Sequence, residues 1–133
     1  IPKRDWSSDV CSSDLEAILA GIGAEASHQL KPRILYSDVI EDITDQHAVI
    51  VNRNRQASMV LPGETLLVYE MTPALFAAMA ANEAERVAPD VTVVDIAMIG
   101  ATGRIYMSGP TESVIRARDE ITRVLESVVG REQ

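Results

Sequence analysis

The stretch Thr65-Leu66-Leu67-Val68-Tyr69-Glu70-Met71-Thr72-Pro73 decides the fold. Leu66, Leu67, Val68 and Tyr69 form a dense run that favours a β-strand. The Thr72-Pro73 pair predicts a helix start, with Thr72 as N-cap and Pro73 at the first helical position. Leu75, Met79, Asn82, Glu83 and Arg86 follow at helical spacing. Between them lie Ala74, Ala77, Ala78, Ala80, Ala81 and Ala84, small enough to bring a helix close against a sheet. Ala88-Pro89-Asp90 ends the helix.

Toward the C-terminus, Val91 to Met98 reads as a strand and Gly100-Ala101-Thr102-Gly103 as a tight connection. Arg104 to Ser108 is the returning strand, with Ile105 and Met107 on one face. Gly109-Pro110-Thr111 leads into a last helix whose apolar positions are Val114, Ile115, Ile121, Val124, Leu125 and Val128. Its other face mixes charges of both signs, as a solvated face does.

Toward the N-terminus, Ser58 to Leu61 predicts a short strand closed by the Pro62-Gly63 turn. Asn52 to Gln56 is a polar loop. His47-Ala48-Val49-Ile50-Val51 predicts a buried strand, preceded by a turn at Thr44-Asp45-Gln46. Arg33 to Ile43 predicts a strand with a bulge near Ser37-Asp38. Glu16 to Leu30 has helical spacing and stops at Lys31-Pro32. The expected order is strand–helix–strand–strand–helix with extra strands in front. That is an α+β domain, helices on one face of a mostly antiparallel sheet.

Composition narrows the function classes. A chain of 133 residues is long enough for one core, and 47% hydrophobic residues exclude a disordered chain. Aromatics are only 4%, which leaves few stacking surfaces for bases or sugars. A net charge of -8 argues against a nucleic-acid partner. No apolar run approaches the roughly 20 residues that cross a bilayer, and the first residues are not a secretory signal.

Residues 1–15 stand apart. Asp5-Trp6-Ser7-Ser8-Asp9-Val10-Cys11-Ser12-Ser13-Asp14-Leu15 has no helical or strand period and holds the single Trp and the single Cys. It resembles a reading-frame translation of a common sequencing-adapter oligonucleotide, so it is expected to be an unstructured artefact. Cys11 has no second Cys, and no His precedes His28, so a nucleophile or metal ligand is not expected there. The helix at 16–30 is expected to be the remnant of a preceding domain, in a protein that extended further toward the N-terminus.

Several segments together resemble the bacterial microcompartment shell domain. They are Val68-Tyr69-Glu70-Met71-Thr72-Pro73, Ala80-Ala81-Asn82-Glu83-Ala84-Glu85-Arg86, Val93-Val94-Asp95 and Ile99-Gly100-Ala101-Thr102-Gly103-Arg104. Lys31-Pro32, Ile40 to Ile43, His47 to Arg53 and Ser58-Met59 resemble the second domain of the tandem, circularly permuted carboxysome shell protein. The resemblance runs from Glu16 to about Val128, with residues 31–133 as the shell domain. It implies a permuted, ferredoxin-like βαββαβ fold with extra N-terminal strands. It also implies self-association into hexamer-like discs, as a trimer in the tandem protein, that tile into the facets of a shell in the bacterial cytoplasm. Other shell proteins would be the partners, small metabolites would pass a central pore, and carbon-fixing enzymes would lie inside. The gating residues implied by the family belong to its first domain, so no gate is assigned here.

The site candidates follow. Ile99, Gly100, Ala101, Thr102 and Gly103 are small enough for several copies to converge on an axis, where backbone amides would face polar or anionic solutes; the plain reading is a hairpin turn. A strand follows the glycines, so this is not a phosphate-cradling loop, which needs a helix there. The resemblance places a tile-edge Lys where Arg86 stands, with Asn82 beside it; the plain reading is a solvated cation at a helix C-terminus. Arg53 and Arg55 suit an anion-facing rim, a contact with a stacked disc, or an exposed loop. His28 and His47 lack the spacing of metal ligands and read as structural. No catalytic constellation, metal site or cofactor is expected. The rival reading is a ferredoxin-like regulatory domain, in which Gly100 to Gly103 would border a ligand cleft between subunits.

Overall fold

A computed structural model describes residues 16–25, 28–53 and 58–132. The expectation for residues 1–15 lies outside these described residues. The chain divides into two compact units, Ile1–Lys31 with Val129–Gln133, and Pro32–Val128.

In the first unit a short helix α1 occupies residues 16–21. The expected helix over 16–30 ends here instead. Gly21 and Gly23 explain it, since Gly23 takes the left-handed conformation at φ +70° that closes a helix. Further on, Leu30 and Arg131 form a parallel bridge. The Lys31 amide donates to the Arg131 carbonyl at 2.9 Å, and the Arg131 amide to the Gln29 carbonyl at 2.9 Å. Gly130 is needed between them, because a Cβ there would lie 2.6 Å from the Gln29 carbonyl oxygen.

The second unit runs β1 (Arg33–Ile40), α2 (Asp45–Asn52), β2 (Thr65–Thr72), α3 (Phe76–Val87), β3 (Thr92–Ile99), β4 (Thr102–Gly109) and α4 (Thr111–Ser127). The sheet order is β1-β2-β4-β3. All three pairings are antiparallel, and the architecture is α+β as the periodicities imply. The β1 bulge falls between Ile34 and Tyr36, earlier than the Ser37-Asp38 expected, and a second lies between Val93 and Asp95.

Alternate residues of the central strands feed two cores. Leu67, Tyr69, Met71, Ile105 and Met107 pack against Ala77, Ala80, Ala81 and Ala84 of α3 and Val114, Ala117, Ile121 and Leu125 of α4. The alanine stripe lets α3 lie close to the strands. Tyr69 remains satisfied in this core, its hydroxyl 2.8 Å from Thr122 Oγ1. Leu66, Val68 and Tyr106 serve the other core, with Ile43, Ala48, Val51, Val60 and Val94. The pattern predicts helices on one face only, and the fold departs from it: α2 covers the side opposite α3 and α4.

The expected strand His47–Val51 is the body of α2. Thr44 is its N-cap in extended conformation, and Thr44 Oγ1 accepts from the His47 amide at 3.4 Å. The residues read as a turn, Thr44-Asp45-Gln46, are this cap and first turn. Ala48 and Val51 point inward at helical spacing while Val49 and Ile50 point out, so the run has a helical period rather than a strand's. The expected strand at Ser58–Leu61 belongs to no sheet among the described residues. Asn52 holds it instead: Nδ2 donates to the Val60 carbonyl at 2.7 Å, and the Val60 amide donates to Oδ1 at 2.8 Å.

Candidate functional site

Thr72 does not cap a helix. It is the last residue of β2, and α3 begins at Phe76 with Leu75 at the N-cap position and no side-chain cap. The Phe76 and Ala77 amides close a turn onto the Pro73 and Ala74 carbonyls at 3.2 and 3.1 Å. The Thr72 hydroxyl instead reaches across to the β3–β4 hairpin and donates to the Ala101 carbonyl at 3.2 Å.

That hairpin carries all five residues of the sharpest sequence candidate. Ile99 pairs with Thr102, leaving Gly100 and Ala101 as a two-residue turn. Gly100 sits at φ +61°, a conformation that suits glycine. Thr102 Oγ1 donates to the Ile99 carbonyl at 3.1 Å. The root is clamped at Gly103, where a Cβ would stand 2.4 Å from the Ala74 carbonyl oxygen and 2.7 Å from Ala77 Cβ. Ile99, Gly100 and Ala101 are exposed, Thr102 is half-buried and Gly103 is buried. The tip is thus small, uncharged and solvent-facing on a fixed base. The Ile99 and Ala101 carbonyls are engaged by hydroxyls, so the Thr102 hydroxyl offers the outside its lone pairs rather than its proton.

The nearest charge in sequence is Arg104. Its Nη2 and Nε meet Glu70 Oε2 at 2.7 and 3.0 Å, and its Nη1 meets the Tyr106 hydroxyl at 3.4 Å. Tyr106 and Glu70 together raise the guanidinium's proton affinity, so this charge is fixed and already matched.

Asn82 and Arg86 lie on the side of α3 opposite its alanine stripe, in line with Leu75 and Met79. Both are exposed. Glu83 joins them: Asn82 Nδ2 donates to its Oε1 at 3.1 Å, and Arg86 Nη1 lies 3.3 Å from the same oxygen. Arg53 is exposed at the C-cap of α2, where its amide donates to the Ile50 carbonyl at 3.3 Å. Arg55 lies outside the described residues. His47 is on α2, and His28 Nε2 is 4.0 Å from Glu25 Oε2 in the first unit. Among the described residues no group of three or more His, Cys, Asp or Glu could hold a metal ion, and no helix is long and apolar enough to cross a membrane.

Sequence reasoning missed two features of this surface. The Thr72–Ala101 bond joins residues 29 apart, and nothing in a local pattern announces it. The outward apolar side of α2 was hidden by reading the run as a strand.

No family model matches the chain. The carboxysome shell protein CcmP of Synechococcus elongatus is 38% identical over 116 residues, covering 87% of this chain and 54% of that protein. The carboxysome shell protein CsoS1D of Prochlorococcus marinus is 35% identical over 126 residues, covering 94% of this chain and 48% of that protein. Among solved structures, a double-ringed trimeric shell protein from the RMM microcompartment is 65% identical with a TM-score of 0.88. That match covers 96% of this chain and 62% of the other. A fused permuted hexameric shell protein from the same kind of microcompartment is 44% identical with a TM-score of 0.83, covering 93% of this chain and 61% of the other. The chain spans about half the length of the curated relatives it matches. Fold and relatives agree, and the chain belongs to the bacterial microcompartment shell-domain family.

Proposed function

We propose that the chain is a structural tile of a microcompartment shell, that it does no chemistry of its own, and that the 99–103 hairpin lines a pore for small metabolites. The observation that carries this is the hairpin: a small, uncharged, exposed tip on a buried and clamped root. Such a loop can be repeated around an axis without steric or electrostatic conflict. The partners are copies of the same protein in a hexamer-like disc and the other proteins of the shell, which is also where the protein resides. Asn82 and Arg86 serve the disc edge, offering donors to a neighbouring tile. Arg53 and Arg55 serve a rim or a stacked disc.

The relative at 65% identity is a double-ringed trimer, and the proposal includes a second ring for this chain. The curated relatives belong to carboxysomes, with carbon fixation inside, at 35–38% identity, whereas the nearer solved relatives belong to the RMM microcompartment. A ferredoxin-like regulator is not favoured, since every relative named above is a shell protein.

Electron microscopy of the purified protein tests the tile; discs or hexagonal sheets are expected, and dispersed monomers would count against it. The pore is tested with Thr102→Glu. An anion entering a narrow passage is repelled by fixed negative charge. The variant should slow anion passage through an assembled shell more than that of uncharged solutes of equal size. Unchanged flux for both classes would remove the hairpin from the route.

A further inference from the structure

The outward side of α2 is unusually apolar for so short a helix. Thr44 fixes the first turn, and Ala48 and Val51 turn toward the sheet. At 3.6 residues per turn this sends Asp45, Gln46, Val49, Ile50 and Arg53 to the opposite side. Val49 and Ile50 are 70% and 71% exposed. Alongside, the Asn52 amide grips the backbone of Val60, which is buried. Its neighbours Met59 and Leu61, 59% and 52% exposed, are thereby turned away from the core. Val49 and Ile50 thus border solvent as neighbours on α2, while Met59 and Leu61 border it on the segment that Asn52 ties to the helix. Single exposures are ordinary, but a cluster of this kind marks a contact surface.

The charges identify the occupant. Asp45 stands at the N-terminal end of this side and Arg53 at its C-terminal end, with Val49 midway between them in sequence. Neither charge makes an ion pair among the described residues. A second α2 laid antiparallel across a two-fold axis at Val49 meets Asp45 with Arg53 and Arg53 with Asp45. Its apolar middle meets an apolar middle. We propose that α2 is the ring-to-ring contact, and that its occupant is the same face of a second copy in the facing ring. The inference rests on the shell reading above, in which two rings stack. Identical rings stacked face to face are related by two-folds, and a patch that lies on one of them meets its own copy. A patch that is neutral, apolar at its centre and of opposite charge at its two ends is self-complementary under that operation.

Sedimentation and native mass measurement of the full chain test this. Wild type should form double rings, and Ile50→Lys and Val49→Ser should leave single rings of half the mass with an unchanged circular dichroism spectrum. Asp45→Lys and Arg53→Glu should each raise the concentration needed for stacking at least tenfold, while the combined exchange Asp45→Lys/Arg53→Glu restores it. Double rings that survive Ile50→Lys, or a combined exchange no better than the single changes, would overturn the α2 contact and leave the tile intact. Single rings alone in wild type would also overturn it. No rings of any kind would sink the shell reading, and the contact with it.

Discussion

Gly103 shows how much one missing methyl group decides. Its buried Cα faces the Ala74 carbonyl, and a Cβ would approach that backbone oxygen to 2.4 Å. Backbone cannot rotate aside as a side chain does, so Gly103→Ala must push the β2–α3 connection away from β4. Overpacking of this kind costs about 1–3 kcal/mol, and a denaturant titration against wild type should show a loss in that range. A variant as stable as wild type would mean the contact yields freely. The turn was legible in the sequence from Gly100, because glycine supplies positive φ without steric cost. Why Gly103 is glycine was not legible, since its neighbour is Ala74. Thr72 fell to the same limit: Thr-Pro before an alanine-rich run has the local signature of a cap, and only the fold reveals the hairpin its hydroxyl serves.

At the scale of elements, α4 is fastened to the loop before β3. Ser113 Oγ donates to Asp90 Oδ2 at 2.6 Å, and Arg116 Nη2 donates to Ser113 Oγ at 2.9 Å. The Ser113 hydrogen bond holds the Asp90 carboxyl below its ordinary range, with Arg116 adding to it. A carboxyl depressed in the folded state contributes stability that is full above its unfolded pKa and is lost as pH falls through the folded one. The advantage of wild type over Ser113→Ala should therefore be full at pH 7 and shrink once pH drops below about 4, the ordinary range of Asp. Denaturant titrations at pH 7 and pH 3 measure it, and an equal gap at both would remove Asp90 from the account. The elements from β2 to α4 were legible because their periods are long and unmixed. α2 was not: five apolar residues in a row fit either period, and the deciding bond, Thr44 to the His47 amide, lies outside the run.

For the whole molecule, the tile reading turns on contacts between copies. Arg86 is 71% exposed and contributes little to the fold, so Arg86→Ala should leave stability within about 0.5 kcal/mol, a shift of about 3 °C or less in the melting transition. Lateral sheets seen by electron microscopy should be sparse or absent in the variant, while discs persist. Sheets equal to wild type would move the edge elsewhere. The antiparallel α+β class was readable from pattern alone, whereas the burial of both sheet faces was not, because it depends on where α2 lands. One last feature bears on the architecture of longer relatives. The parallel bridge between Leu30 and Arg131 sets the segments that precede Pro32 and follow Val128 side by side. The points where the polypeptide enters and leaves this domain thus lie within two or three residues of one shared backbone contact. Cutting the circle elsewhere, or threading one such domain after another on a short tether, asks little loop-closure entropy of the chain. Duplication and permutation are then rearrangements that the fold tolerates by construction.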